Sequence, residues 1–173
     1  MAAEVAQKKF MAIVLVGGGA RSGKSTWALT RARGCGERLV YVATAEALDE
    51  EMAARIAKHR AERGSAFETI EEPLDLASAI RSAEGDAIVV DCLTLWLSNL
   101  MRASEDRTEE TIVAAKEKHA LVIFVTNEVG CGIVPEHALA REFRDRAGIM
   151  NQRFAEAADE VYWMVFGQPL RVK

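Results

Sequence analysis

The chain has 173 residues, of which half are hydrophobic and 28% are charged, and its formal net charge is −4. This length suffices for one domain with a substantial buried core, and the composition is typical of a globular protein. The acidic balance argues against nucleic acid as a partner, and no apolar run approaches the roughly 18 residues needed to insert stably across a membrane.

In chain order, short apolar runs alternate with helical patterns. Residues 1–9 predict a disordered N-terminal extension, and residues 10–173 predict one domain. The apolar runs are rich in β-branched residues and do not alternate with polar ones, so they predict strands buried on both faces: Phe10–Val16, Leu39–Ala43, Ala87–Val90, Ala120–Val125 and Val161–Phe166. The predicted helices are Ser25–Arg33, Leu48–Arg63, Leu74–Ser82, a stretch after Asp91, and Glu136–Ala158. This alternation predicts an α/β fold with a mainly parallel sheet.

One segment and the cysteines are less informative. Arg102–Lys118 mixes acids and bases, which is compatible with a helix or with a partly mobile segment. The three cysteines match neither a metal-binding spacing nor an even-numbered disulfide framework, so we expect reduced thiols in a cytoplasmic protein.

The first predicted strand runs into the sequence GGGARSGKST, which fits the phosphate-loop pattern G-x-x-x-x-G-K-[ST]. Glycines let backbone N–H groups surround phosphate oxygens, and the helix that follows adds its positive end. Lys24 is predicted to reach the β- and γ-phosphates, and the Ser25 hydroxyl to bind Mg²⁺. The whole loop is predicted to contact the nucleotide: Gly18, Gly19, Ala20, Arg21, Ser22, Gly23, Lys24 and Ser25.

Asp91 ends the apolar run AIVVD, the place where phosphate-loop proteins keep a carboxylate associated with Mg²⁺. Asp91 is therefore a predicted nucleotide and metal residue; the alternative is an N-cap for the following helix. The N-K-x-D pattern of signalling GTPases is absent, and Cys92 follows Asp91 where a RecA-type motor usually has glutamate. A small-molecule kinase remains possible, although the sequence has no evident arginine-rich lid.

Five longer stretches carry a specific resemblance. They are GGARSGKS, YVATAEALDEEMAARIAKHRAER, VVDCLTLWLSNL, TNEVGCGIVPEHALAREFRDRAGIMNQ and AADEVYWMVFGQPLRVK. Together they resemble the adenosylcobinamide kinase/adenosylcobinamide-phosphate guanylyltransferase family. The resemblance implies a RecA-like fold, a homotrimer, a corrinoid substrate, Mg²⁺, and two reactions. These are phosphorylation of adenosylcobinamide by ATP or GTP, and transfer of GMP from GTP through a guanylylated histidine.

By this resemblance, His59 is the guanylylated residue. Some relatives have two adjacent histidines, but the first position is Lys58 here, and Gly64 stands where the family often has proline. Met52, Ile56, His59 and Arg63 share one helical stripe. The surrounding cations suit a triphosphate that the ring would attack. A histidine among bases is otherwise usually an ordinary surface residue.

The resemblance also implies further nucleotide contacts, namely Thr44, Ala45, Glu46, Arg60, Ala61, Glu62, Arg63 and Glu71. Glu71 is alternatively a solvated turn residue. Asn127 and Glu128 end the fourth predicted strand, at the edge where catalytic groups lie in open α/β sheets, and alternatively they form a polar turn before Gly130. His119 and His137 are predicted surface residues. The apolar Cys92–Met101 segment predicts a buried helix or a subunit interface. A single-activity kinase and a non-catalytic nucleotide-binding module remain as alternative functions.

Overall fold

The computed structural model describes residues 11–173, apart from the side chains of Arg55 and Glu62. The predicted extension at residues 1–9, and Phe10 of the first predicted strand, lie outside the described residues. In the described part, no helix combines the length and the apolar character needed to cross a membrane.

A seven-stranded sheet forms the centre of the fold. Its strands are β1 Ala12–Gly18, β2 Leu39–Ala43, β3 Phe67–Glu71, β4 Ala87–Asp91, β5 Leu121–Val125, β6 Glu160–Val165 and β7 Gln168–Arg171. They lie in the order β3-β2-β4-β5-β1-β6-β7, and all pairings are parallel except the β6–β7 hairpin. The prediction of an α/β fold with a mainly parallel sheet is therefore confirmed.

Helices cover both faces of this sheet. They are α1 Lys24–Arg33, α2 Glu50–Arg63, α3 Leu76–Ser82, α4 Leu93–Ala103, α5 Thr108–Glu117 and α6 Ala138–Ala157. Apolar residues of α3, α4, α5 and α6 pack into one core, and those of α1 pack into a second core on the opposite face. Strands with both faces covered must be apolar throughout, which explains why their sequences do not alternate.

The sequence did not predict the strands β3 and β7, because neither is a continuous apolar run like the central strands. In β3, Glu68 and Glu71 are exposed, and in β7 all four residues, including Pro169, are exposed. Edge strands tolerate charged residues and proline because one side of the strand makes no ladder hydrogen bonds. Glu71, for which a turn was the alternative, is the last residue of β3.

The ambiguous region Arg102–Lys118 holds a helix pair, since α4 continues to Ala103 and α5 begins at Thr108. Arg107, in the short connection, lies 3.7 Å from a carboxylate oxygen of Asp75 and 3.2 Å from one of Glu110. The apolar side of α4 is buried within its own chain, with Leu93, Trp96, Leu97 and Leu100 in the core. Burial in the core therefore accounts for its apolar sequence without a subunit interface.

Candidate active site

The phosphate-loop motif lies between β1 and α1, at the carboxyl edge of the sheet. Gly18 and Gly23 have φ values of 147° and 91°, and Gly23 is the N-cap of α1. A Cβ atom at Gly18 would lie 2.9 Å from the Ser22 hydroxyl oxygen and 3.1 Å from the backbone oxygen of Met164. Glycine is thus required at this position both by backbone conformation and by space.

Lys24 is the first residue of α1 and only 6% exposed. Its Nζ donates to the backbone oxygen of Gly19 at 2.6 Å and lies 3.4 Å from the Ser22 hydroxyl oxygen. Burial lowers the pKa of the Lys24 amine, and the negative charge of Asp91 opposes that shift. The structure therefore holds one cation against the loop whose geometry suits a phosphate chain.

Asp91 and Ser25 offer the oxygen atoms that a magnesium ion prefers. Asp91 is the partly buried last residue of β4, and Ser25 is the partly buried second residue of α1. Mg²⁺ bound with a nucleotide usually takes one or two protein oxygens and fills its other positions with phosphate and water. This donor pair fits that pattern, and no group of three or more His, Cys, Asp or Glu side chains gathers elsewhere among residues 11–173.

The capping alternative for Asp91 is wrong. The residue at the N-cap position of α4 is Cys92, and its side chain makes no capping hydrogen bond. Burial and the neighbouring Asp91 charge raise the pKa of the Cys92 thiol to about 12. Cys92 is thus a buried, neutral residue that follows Asp91 in the chain.

Tyr41, Arg63 and Asp91 form a link that sequence reasoning missed. Tyr41 lies in β2, and its hydroxyl interacts with the Asp91 carboxylate and the Arg63 guanidinium. The Arg63 guanidinium carbon lies 3.7 Å from the centre of the Tyr41 ring, a cation–π contact. Burial and the Asp91 charge raise the pKa of Tyr41. This buried link joins the end of α2 to the strand that carries Asp91.

Helix α2 carries the predicted guanylylation residue. It begins after Asp49, whose carboxylate accepts a hydrogen bond from the Met52 backbone N–H at 2.7 Å. His59 is exposed, and Arg63, one turn later on the same side, is 5% exposed. Arg63 is the one buried residue among the side chains of α2 that the structure describes. The imidazole is thus presented to solvent on a helix held mainly near its carboxyl end.

Two of the predicted nucleotide contacts, Arg60 of α2 and Glu71 of β3, contact each other. Arg60 forms an ion pair with Glu71, and both side chains are exposed. Ala61, also a predicted nucleotide contact, is exposed. The contact between Arg60 and Glu71 places the end of β3 next to the helix that carries His59.

Thr44 lies directly after β2 and is fully buried. Its hydroxyl oxygen accepts from the Cys92 backbone N–H at 2.8 Å and donates to the Cys92 backbone oxygen at 2.9 Å. Asn99 donates to the Thr44 backbone oxygen at 2.8 Å. The Thr44 side chain therefore joins the ends of β2 and β4, while Ala45 and Glu46, which follow it, are partly exposed.

Glu46 marks the outer end of this hydrogen-bond network. Its carboxylate pairs with Arg102, which also donates to the side-chain oxygen of Asn99 at 3.0 Å. A polar Asn99 inside the apolar run CLTLWLSNLM was the sequence signal for this network, because a buried amide needs partners. Tyr41 gave the same kind of signal within LVYVA.

The residues after β5 also border the phosphate loop. The Glu128 backbone N–H donates to the Gly18 backbone oxygen at 3.1 Å. The Asn127 backbone N–H donates to the Thr94 hydroxyl oxygen at 2.7 Å. These bonds fix the turn at the carboxyl edge, next to the site. His119 and His137 are exposed, as predicted, and His119 lies at the opposite edge of the sheet, just before β5.

The fold and this loop define a RecA-like phosphate-loop nucleotide-binding protein. A solved structure of the flagellar accessory protein FlaH from Methanocaldococcus jannaschii superimposes with a TM-score of 0.56, covering 95% of this chain and 79% of that one. At 14% identity, this similarity concerns the fold alone.

The family is established by sequence. The family described as "Cobinamide kinase / cobinamide phosphate guanyltransferase" matches residues 14–172, and the chain belongs to it. The bifunctional adenosylcobalamin biosynthesis protein CobP of Pseudomonas aeruginosa is 43% identical over 92% of this chain and 96% of its own length. The corresponding protein CobU of Salmonella typhimurium is 41% identical over 93% of this chain and 99% of its own.

Proposed function

We propose that this chain is a cytoplasmic bifunctional enzyme of adenosylcobalamin biosynthesis. It phosphorylates the aminopropanol hydroxyl of adenosylcobinamide with ATP or GTP. It then transfers GMP from GTP to adenosylcobinamide phosphate, which yields adenosylcobinamide-GDP and pyrophosphate. The observation that carries the proposal is the buried Lys24, whose amine donates to the Gly19 backbone oxygen of the phosphate loop, in a chain of this family.

The phosphate loop serves the kinase reaction. The corrinoid hydroxyl oxygen attacks the γ-phosphorus, the bond to the β–γ bridging oxygen breaks, and the nucleoside diphosphate leaves while the hydroxyl proton is released. Lys24 and the loop N–H groups hold the phosphate oxygens in line for this transfer. Ser25 and Asp91 would hold Mg²⁺, which would supply neutralisation of the charge on the phosphates.

His59 serves the guanylyl transfer. An imidazole nitrogen attacks the α-phosphorus of GTP, forms a P–N bond and releases pyrophosphate. The corrinoid phosphate oxygen then attacks the same phosphorus, and the P–N bond breaks to regenerate the imidazole. This division lets a weak phosphate nucleophile meet an activated GMP. The exposure of His59 supports the role, because both GTP and a bulky corrinoid must reach the ring.

The arginines around His59 have separate tasks. Arg60, exposed and paired with Glu71, is placed to contact a bound triphosphate or its ribose together with that carboxylate. Arg63 is buried against Tyr41, so its task is to position α2 relative to Asp91. Thr44 likewise acts through the backbone it holds, whereas Ala45 and Glu46 border the nucleotide.

The enzyme acts as a homotrimer. Exposed apolar side chains between β5 and the first turn of α6 support an assembly surface, namely Ile133, Val134 and Leu139. Light scattering at micromolar concentration is expected to give three times the 19.0 kDa chain mass. A stable monomer would contradict this part of the proposal.

Radiolabelled GTP tests the proposed function as a whole. Label at the α-phosphate is expected on the protein, labile to acid and stable to alkali, whereas label at the γ-phosphate is not. The α-label should move to the corrinoid when adenosylcobinamide phosphate is added, and γ-labelled ATP should label adenosylcobinamide. Corrinoid phosphorylation without protein labelling would indicate a single-activity kinase, and nucleotide binding without either reaction would indicate a non-catalytic module.

A further inference from the structure

The turn of the β6–β7 hairpin carries an aromatic side chain in an unusual setting. Phe166 is 98% exposed, although large aromatic side chains normally bury most of their surface. It forms the turn with Gly167, and the two residues have φ values of 49° and 80°. A two-residue hairpin turn with positive φ at both positions favours Asn, Asp or Gly, so neither turn geometry nor core packing accounts for phenylalanine here.

This turn lies against the phosphate loop. A Cβ atom at Gly23 would be 3.6 Å from the Cα atom of Gly167 and 3.7 Å from the terminal methyl of Met164. Gly18 pairs with Met164 in the parallel register of β1 and β6. Gly167, which follows Phe166, therefore lies next to Gly23, and Gly23 directly precedes Lys24. The exposed ring of Phe166 thus lies near the phosphate loop.

Side-chain contacts between α1 and β6 hold the hairpin in this place. The rings of Trp27 and Tyr162 lie 4.6 Å apart between centres. Arg31 lies 3.2 Å from one carboxylate oxygen of Glu160, and the other oxygen of that carboxylate accepts from the Tyr162 hydroxyl at 2.6 Å. Because α1 begins at the phosphate loop, these contacts tie the hairpin and the loop into one unit.

The order of strands decides which end of a nucleotide faces the hairpin. Asp91, which interacts with Lys24, ends β4, and β4 lies on one side of β1 with β5 between them. The β6–β7 hairpin lies on the other side of β1. A triphosphate whose β- and γ-phosphates lie on the side of Asp91 would direct its α-phosphate, ribose and base away from β4. That direction leads to the hairpin.

We propose that Phe166 stacks on the purine base of the nucleoside triphosphate held in the phosphate loop. The inference rests on the proposed function, which places a nucleotide in the phosphate loop. It adds the residue that contacts the base of that nucleotide. Stacking on a phenyl ring depends little on which base is present, because every base offers a π face. The contact thus explains how one loop accepts both ATP and GTP as phosphoryl donor.

Equilibrium binding of hydrolysis-resistant β,γ-imido analogues of ATP and GTP tests this, with inorganic tripolyphosphate as a probe that has no base. Phe166→Asn removes the ring and suits the positive φ of the turn, so the variant should fold. Both analogues should bind this variant about 5- to 100-fold more weakly, as expected for loss of one stacked base. Tripolyphosphate affinity should not change. Phe166→Trp keeps an aromatic ring at this position and should bind both analogues about as tightly as the original chain does.

Leu170→Ala is the matched control, because Leu170 is an exposed apolar residue of the same hairpin, and it should bind like the original chain. Lys24→Ala measures how much of the binding occurs at the phosphate loop. If Lys24→Ala weakens analogue binding and Phe166→Asn does not, the inference is wrong and the proposed function stands. Equal weakening of analogue and tripolyphosphate by Phe166→Asn would also overturn it. If the original chain binds neither analogue, the proposed function itself fails.

Discussion

The phosphate loop and helix α2 both carry residues proposed to act on nucleotides, but the fold supports them differently. The loop joins β1 to α1, and Lys24 is buried where it contacts Gly19 and Ser22. Helix α2 has one buried residue among its described side chains, Arg63 near its end. The proposed phosphate site is thus held directly by the sheet, whereas the position of His59 depends on a few side-chain contacts of α2. Changes at those contacts should separate the two activities.

Replacing Lys24 by alanine should have the largest effect. Both reactions need a held triphosphate, so each should slow on the order of 10²-fold or more when this electrostatic stabiliser is lost. The two reactions can be followed separately with labelled ATP and GTP in the presence of the corrinoid substrates. Lys116→Ala, at an exposed position of α5, is the control. Near-normal turnover in either reaction would mean that Lys24 is not the phosphate lysine.

Arg63→Met should affect the two reactions unequally. It keeps a long side chain but removes the guanidinium that stacks on Tyr41. A desolvated cation–π contact contributes roughly 2 kcal/mol, so guanylylation should fall roughly 30-fold, with the kinase rate much less affected. Arg146→Met removes a partly exposed arginine that pairs with Glu142 on α6, and it should change neither rate. An equal loss in both reactions would show that Arg63 does not act through α2.

Tyr41→Phe should also slow guanylylation more than phosphorylation, but by less than Arg63→Met does. The ring beneath Arg63 remains, and only the hydroxyl that interacts with Arg63 and Asp91 is lost. The loss of a hydrogen bond of about 1 kcal/mol predicts roughly a five-fold slower guanylylation. Initial rates of α-labelled GMP incorporation measure this. A faster rate, or one equal to that of the original chain, would show that the Tyr41 hydroxyl does not help to position α2.

The smallest expected effect concerns alkaline stability. Burial raises the pKa of Cys92 from 9.0 to about 12, so between these pH values the unfolded thiol releases its proton while the folded one keeps it. The free energy of unfolding should therefore fall as pH rises, by up to about 1.4 kcal/mol per pH unit from this group. Urea titrations at pH 8 to 10.5 should show a shallower decline for Cys92→Ala. An unchanged slope would contradict the burial of an unionised thiol.

Much of the sheet and the phosphate loop could be predicted because local sequence determines them. Buried parallel strands need continuous apolar runs, and a glycine-rich turn before a helix has few other uses. The edge strands β3 and β7 could not be predicted in this way, since exposure allows them charged residues and proline. Asp91 was placed correctly at a strand end, but only the structure separates it from the N-cap position, which Cys92 occupies.

The link among Tyr41, Arg63 and Asp91 shows why the site was harder to predict than the sheet. These residues come from three elements that meet only in the folded chain, and Arg63 was interpreted as a nucleotide contact because it is one turn from His59. Its burial against Tyr41 shows that it also anchors the end of α2, while the nucleotide contact stays a prediction. Sequence spacing within α2 cannot distinguish these roles, because both require an arginine on the same helical stripe.

Covalent labelling of His59→Asn with α-labelled GTP tests the central claim most directly. Asparagine cannot form the phosphoramidate, whereas the phosphate loop remains intact in this variant. The account predicts no protein-bound GMP and no adenosylcobinamide-GDP, with measurable phosphorylation of adenosylcobinamide retained. Lys58→Ala, a change at the neighbouring exposed residue, should still take up label. Covalent GMP on the His59→Asn protein would contradict the assignment of His59 and make Lys58 the next residue to test.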